Sequence, residues 1–300
     1  MKTRALDSPP RILPLYARAA APMIPGASRL PFLPGGGGEI PEVELTLDGV
    51  RSDPEAVAAY DRVCGFPLRD DLPPTYPHVL AFPLHMAVMA DGGFPFGAVG
   101  LVHLENRIAQ GRPIGVAEEL SLTVRPTALQ PHPKGRTFSL ITEARAAGEL
   151  VWESESTMLR RQSGGSEEAA RKSYGDRTPD SGAARPAAEP EPTAEWKLGG
   201  DLGRRYAAVS GDRNPIHMHS LAAKPLGFPA AIAHGMWTKA RCLAALEPRL
   251  PDTFTAEVAF RRPILLPGRV EFGSRADGVR ADFFVRDAKK HTPHLEGSVK

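Results

Sequence analysis

Tyr206-Ala207-Ala208-Val209-Ser210-Gly211-Asp212-Arg213-Asn214-Pro215-Ile216-His217 sets a carboxylic acid and an imidazole five residues apart across an Asn-Pro turn. Downstream, Ile232-Ala233-His234-Gly235-Met236 delivers a His-Gly pair to the start of an apolar run at helical spacing. An acid and an imidazole can move protons around a bound water, while backbone N–H groups at a helix start can hold a polarised carbonyl. On this reading the chain is an enzyme. Read alone, Ser210 to Pro215 is equally a helix stop and a turn, because Gly, Asp, Asn and Pro are the common turn residues.

Working outward, the chain divides into two related halves. Tyr60-Asp61-Arg62-Val63-Cys64-Gly65 parallels Tyr206 to Gly211, and Arg112-Pro113-Ile114 parallels Arg262-Pro263-Ile264, at offsets of 146 and 150 residues. In each half a helix-rich stretch precedes alternating apolar segments. These are Leu120, Leu122, Val124 and Phe138, Leu140 in the first half, and Val270, Phe272 and Phe283, Val285 in the second. Helix first and then a run of strands is an α+β pattern with an antiparallel sheet. The first half should open on a strand through Val43, Leu45 and Leu47. A helix then begins at Pro54, with Asp53 as N-cap and Gly65 as its stop. The long helix of the second half should run from His234 or Gly235 to about Leu246, and its counterpart from Val79 to Met89, where Pro83 puts the start in question.

The expected boundaries are residues 1–38 as a flexible lead-in, 39–161 as the first domain, 162–195 as a linker and 196–300 as the second domain. The lead-in is broken by prolines from Pro9 to Pro34 and ends in Gly35-Gly36-Gly37-Gly38, which lacks the Lys-Ser/Thr of a phosphate-binding loop, so it reads as a mobile lead-in or a segment packed across the surface and not as a site. The linker is rich in Ser, Gly, Pro, Glu and Arg and cannot bury enough apolar surface to offset its ordering entropy.

The motif around Asp212 and His217, with Gly227-Phe228 and Ile232 to Met236 after it, resembles the MaoC-like (R)-specific enoyl-CoA hydratases and 3-hydroxyacyl-thioester dehydratases. The likeness extends into Phe260-Arg261-Arg262-Pro263-Ile264-Leu265-Leu266-Pro267-Gly268, which is similar to that family's strand entering the sheet after the long helix, and it covers most of residues 195–300. It implies a double hot dog, two antiparallel sheets each wrapped round a long helix, and reversible hydration of trans-2-enoyl thioesters of CoA or an acyl carrier protein in fatty-acid metabolism. It also implies that Asp212 and His217 share one water as the catalytic pair and that the Gly235 N–H binds the thioester oxygen. Asn214 and His234 are read beside Gly235 as positioning residues, Asn214 orienting the loop and His234 a structural loop residue bonded to backbone.

No organic cofactor is implied. A metal is not expected either: His219 stands two residues beyond His217, but no third ligand of suitable spacing accompanies them. In the first half the chain continues Phe66-Pro67-Leu68-Arg69 after Gly65, without the acid or the imidazole, so one active site per chain is expected. His78, His85, His103 and Glu105 are left as isolated candidates. The rival readings are a hot-dog acyl thioesterase, whose water would attack the carbonyl carbon, and a non-catalytic acyl-thioester-binding subunit.

Composition narrows the partners. A net charge of +2 with scattered Lys and Arg gives no basic stripe for nucleic acid. Cys64 and Cys242 form no pairing or zinc motif, which fits a reducing cytoplasm. No apolar window approaches the length of a membrane span. An acyl thioester is the expected partner, and a homodimer is left open.

Overall fold

The computed structural model describes residues 2–20, 38–98, 100–161, 191–224 and 227–300. Strand β1 (Lys2–Leu6) and helix α1 (Ile12–Ala20) come first. The first half follows with β2 (Val43–Arg51), α2 (Pro54–Cys64), α3 (Tyr76–Met89), β3 (Val102–Gln110), β4 (Glu119–Pro126), β5 (Gln130–His132), β6 (Gly135–Ala146) and β7 (Glu149–Arg161). The second half has β8 (Pro192–Leu198), the helices Leu202–Ser210, Pro215–Met218, Ser220–Ala223 and Gly235–Leu246, then β9 (Phe254–Phe260), β10 (Gly268–Asp277), β11 (Arg280–Asp287) and β12 (Pro293–Val299).

The strands form one continuous sheet in the order β1-β2-β4-β6-β7-β3-β9-β12-β11-β10-β8, with β5 paired to β6. Leaving aside β1 and β5, each half follows one rule: its strands, counted along the chain, lie in the spatial order first, third, fourth, fifth, second. The second strands of the two halves, β3 and β9, meet antiparallel and close the seam, from Glu105 opposite Ala259 to Gln110 opposite Phe254. The repeat seen in the sequence is therefore a repeat of topology.

Local chemistry explains the elements. Period-2 alternation turns Leu120, Leu122 and Val124 to the core side of β4, as it does Phe283 and Val285 of β11, and all are buried. Asp53 caps α2 by accepting from the Glu55 N–H at 3.0 Å, Pro54 opens the helix, and Gly65 ends it in the left-handed region at φ 84°. The matching Gly211 ends helix Leu202–Ser210 at φ 75°. The two equivalent helices face each other, and the buried rings of Tyr60 and Tyr206 lie 6.0 Å apart.

Several boundaries differ from the sequence expectation. Residues 2–20 are not a flexible lead-in. β1 adds to β2 as a parallel strand, and α1 presents Ile12, Leu15, Tyr16 and Ala19 at helical spacing to the body of the protein. Pro14 is tolerated because it lies in the first turn, where its missing N–H has no intrahelical partner to lose. The Gly-rich run up to Gly37 and most of the linker, residues 162–190, lie outside the described residues. The linker's expected end gives way to β8, which begins at Pro192 and brings Trp196 against Phe272. Helix α3 starts at Tyr76, earlier than expected, and contains Pro83. Residues 261–267 are a connection between β9 and β10 rather than a strand. They pair with the 231–233 segment through Ala233 N–H to Ile264 O at 2.9 Å and Leu266 N–H to Ala231 O at 2.8 Å.

A lysine is buried at the seam. Lys239, on helix Gly235–Leu246, is fully inaccessible, and its Nζ donates to Asn106 Oδ1 at 2.6 Å, Ala256 O at 2.9 Å and Asn106 O at 3.1 Å. Asn106 in turn donates to Ser154 Oγ and Ser156 Oγ of β7 at 2.9 and 3.0 Å. One ammonium thus ties the helix to β3, β9 and, through Asn106, β7. Burial holds its pKa well below the usual lysine range. Lys239→Ala removes three buried hydrogen bonds and leaves the Asn106 side-chain oxygen without its donor, and is expected to destabilise the fold by about 3 kcal/mol or more, read by urea unfolding.

Candidate active site

Two successive Asx turns build the loop that carries Asp212 and His217. Asp212 Oδ1 accepts from the Asn214 N–H at 3.1 Å, and Asn214 Oδ1 accepts from the Ile216 N–H at 3.4 Å, so each side chain shapes the backbone two residues on. Pro215 then opens the short helix Pro215–Met218, which carries His217. On the other wall, Ile232 N–H donates to Ile216 O at 3.1 Å, which joins this loop to the segment that ends in His234.

The cluster these turns assemble is compact. The rings of His217 and His234 stack at 3.7 Å with 25° between their planes, and His234 Nε2 lies 3.8 Å from Asp212 Oδ2. The hydrogen bonds assign the tautomers, because a carbonyl oxygen only accepts. His217 Nδ1–H donates to Ile232 O at 2.8 Å, which leaves its Nε2 as a lone-pair base in the neutral ring. His234 Nε2–H donates to Asp212 O at 3.0 Å, leaving a buried Nδ1 without a protein partner.

Charge follows from these contacts. Burial pushes the Asp212 carboxyl up, but His234, His217, the Tyr16 hydroxyl and the Asn214 N–H outweigh it and hold the group below the usual carboxylate range. Burial lowers His217, only partly opposed by Asp212 and the Ile232 carbonyl, and it pushes His234 down to about 3. At neutral pH the cluster is therefore one carboxylate beside two uncharged imidazoles.

Asp212, His217 and His234 bring ligand-type atoms within 4.8 Å of one another, so the third member of the cluster is His234 and not His219. Their orientation fits a cation poorly. Lone pairs of stacked rings lie in nearly parallel planes, whereas ligands of one ion must converge on a point. They suit a water better. Gly235 is the first residue of helix Gly235–Leu246, so its N–H stands outside the intrahelical ladder at the positive end of the dipole. A Cβ at this position would come within 3.1 Å of the Phe260 ring.

The first-half candidates do not join this cluster. His85 Nε2 pairs with Thr142 Oγ1 at 2.8 Å and its ring lies 4.8 Å from that of His78, while His103 packs on Phe260 at 4.9 Å. Burial lowers all three. Cys64 and Cys242 are buried thiols raised by desolvation.

Against known proteins, residues 182–295 match the family described as MaoC like domain. The chain is 36% identical over 280 residues to 3-hydroxyacyl-thioester dehydratase X of Mycobacterium tuberculosis, spanning 91% of this chain and 94% of that protein. The chain belongs to the MaoC-like dehydratase family. A crystal structure of HtdX from Mycobacterium tuberculosis superposes on this MaoC-like protein with a TM-score of 0.74 at 34% identity, covering 85% of this chain and 98% of the other. A second Mycobacterium tuberculosis structure, described as a double hot-dog fold, matches at TM-score 0.54 and 14% identity over 88% of this chain and 98% of that one. The α+β double hot dog expected from the sequence is thus the fold of this MaoC-like chain.

Two contributors to the site had no local sequence signal. Tyr16 of α1 donates from its hydroxyl to Asp212 Oδ1 at 2.8 Å across 196 residues of chain. Gly203, in helix Leu202–Ser210, lies against the backbone of the loop that carries His217, and a Cβ there would collide with the His217 carbonyl. Gly203→Ala is expected to push His217 out of register, with a loss of about 1–3 kcal/mol in unfolding free energy and of most activity. Denaturation curves and turnover of the same preparation check it.

Proposed function

We propose that this chain is a hydro-lyase that interconverts 3-hydroxyacyl and trans-2-enoyl thioesters, carried by CoA or an acyl carrier protein, with (R) stereochemistry and no metal. The observation that carries the reading is the tautomer of His217: with Nδ1–H committed to Ile232 O, its Nε2 and the Asp212 carboxylate are two acceptors in one small cluster. A water donating one hydrogen to each turns its oxygen lone pairs outward, toward a substrate.

In hydration that oxygen attacks the β carbon. The C=C electron pair moves onto the α carbon and the thioester oxygen, the Asp212–His217 pair takes one proton from the water, and it returns one to the α carbon. The pair ends in the state in which it began. Negative charge developing on the thioester oxygen is met by the Gly235 N–H at the helix N-terminus. Asn214 holds the loop, and His234, uncharged, packs on His217 and ties its ring to the Asp212 backbone. The likeness to a 3-hydroxyacyl-thioester dehydratase over nearly the whole chain favours this reading over thioester hydrolysis or passive binding.

Absorbance of crotonyl-CoA during hydration tests the reading, with chiral analysis of the product after chelator treatment. Asp212→Asn and His217→Ala should each lower kcat by on the order of 100-fold or more, and the double variant should fall far short of their product because both act on one water. Near-wild-type turnover in a folded single variant would exclude the assignment. Predominantly (S) product, or activity restored only by added metal, would exclude that part of the proposal.

The pH profile is a second check. His217 works as a neutral base, and burial holds its pKa below the ordinary 6.5. The acid limb of kcat should accordingly fall below pH 6.5, with activity flat above it; a limb above pH 7 contradicts the assignment.

A further inference from the structure

We propose that Tyr16, on the amino-terminal helix outside both repeated halves, is a positioning residue that aims the Asp212 carboxylate at the catalytic water. This rests on the hydratase reading above. Tyr16 hydrogen-bonds on both sides of its oxygen: the hydroxyl donates to Asp212 Oδ1 at 2.8 Å and accepts from the Arg213 N–H at 2.8 Å. Oδ1 also receives the Asn214 N–H at 3.1 Å, so it is fully engaged, and Oδ2 is the oxygen that faces the imidazole cluster at 3.8 Å. A carboxylate with one oxygen pinned by two donors cannot rotate about its last bond, and the other oxygen keeps one direction.

The helix that carries the hydroxyl is itself seated on the catalytic loop. At Gly211, immediately before Asp212, a Cβ would lie 2.8 Å from Ile12 Cδ1 and 3.7 Å from Phe82 Cδ1, so α1 and α3 close over the turn. Gly211 has φ 75°, a conformation that itself favours glycine. One turn further along α1, Tyr16 reaches the carboxylate, and a turn beyond that Ala19 is buried. Neither half of the repeat contains this helix. The second half alone therefore holds the acid and the imidazole but lacks one of the two groups that fix the acid's orientation.

Five other titratable groups act on Asp212: His234 and His217 from the cluster, Tyr206 from helix Leu202–Ser210, and His78 and His103 from the first half. His234 and His217 favour the ionised form of Asp212, and the hydrogen bonds from the Tyr16 hydroxyl and the Asn214 N–H add to them. The sign of the effect follows. Removing the hydroxyl removes a donor that favours the carboxylate, the Asp212 pKa rises, and its base form is lost at a higher pH than in the wild type.

Tyr16→Phe keeps the ring and its packing and removes only the oxygen. It should lower kcat for crotonyl-CoA hydration on the order of tenfold with KM nearly unchanged, and move the carboxyl titration of Asp212 up by about one pH unit. That titration is read by carbon-13 NMR of protein labelled at aspartate carboxyls, with the resonance assigned by its loss in Asp212→Asn. An unchanged kcat overturns the proposal, and so does a fall in kcat with KM risen and the Asp212 titration unmoved, which would mark a purely structural contact. If the wild type fails to hydrate crotonyl-CoA, the hydratase reading fails and the titration alone decides: an upward move in Tyr16→Phe supports the contact's role, and an unmoved midpoint overturns it.

Discussion

An ionised carboxylate held beside two uncharged imidazoles is the constraint on which the rest of this site depends. A charge even partly withdrawn from water, as the half-buried Asp212 is, is costly unless hydrogen bonds replace its solvation. Asp212 receives them from the Asn214 N–H of its own turn and from Tyr16, so the first comes from the loop and the second from a distant helix. The imidazoles stay neutral for the complementary reason. They are buried and stacked on each other, so a proton on either would be poorly solvated and would sit 3.7 Å from its neighbour's ring.

Positioning such a cluster needs a rigid frame, and the duplicated fold supplies it. The helices ending at Gly65 and Gly211 pack face to face through Tyr60 and Tyr206, and Trp237 Nε1–H donates to Val63 O at 3.0 Å, so the half without acid or imidazole still holds up the helix that starts at Gly235. At the seam, Lys239 fills all three donor positions with acceptors from β3 and β9. A hydrophobic side chain could fill that space, but it would leave the Asn106 side-chain oxygen unpaired. The buried ammonium sets the register of the helix on both halves at once.

Among the described residues no helix is long and apolar enough to cross a membrane. The first half contributes contacts to the site. Its α3 carries Phe82 to Gly211, and His103 of β3 packs on Phe260, the ring that also crowds Gly235. The first-half histidines read from the sequence as isolated candidates are thus interior neighbours of the site, each lowered by burial.

The sequence by itself determined whatever depends on short-range chemistry. The Asp-x-Asn-Pro-x-His spacing is a pair of Asx turns plus a proline-started helix, and those rules act over two or three residues. The cap at Asp53, the stops at Gly65 and Gly211, the helix from Gly235 to Leu246 and the alternation in β4, β6, β10 and β11 were legible for the same reason. The repeat was legible because both halves need the same turn and the same buried tyrosine. Tertiary structure alone decided which residues from far along the chain reach the cluster. Tyr16 lies in a proline-rich start that reads as a flexible lead-in, His234 is brought from a separate segment to stack on His217, and Gly203 matters only because another backbone passes against it. Their positions follow from how α1, the 212–217 loop and the 231–234 segment pack, and contacts between residues separated by up to 197 positions leave no periodicity or spacing to be read.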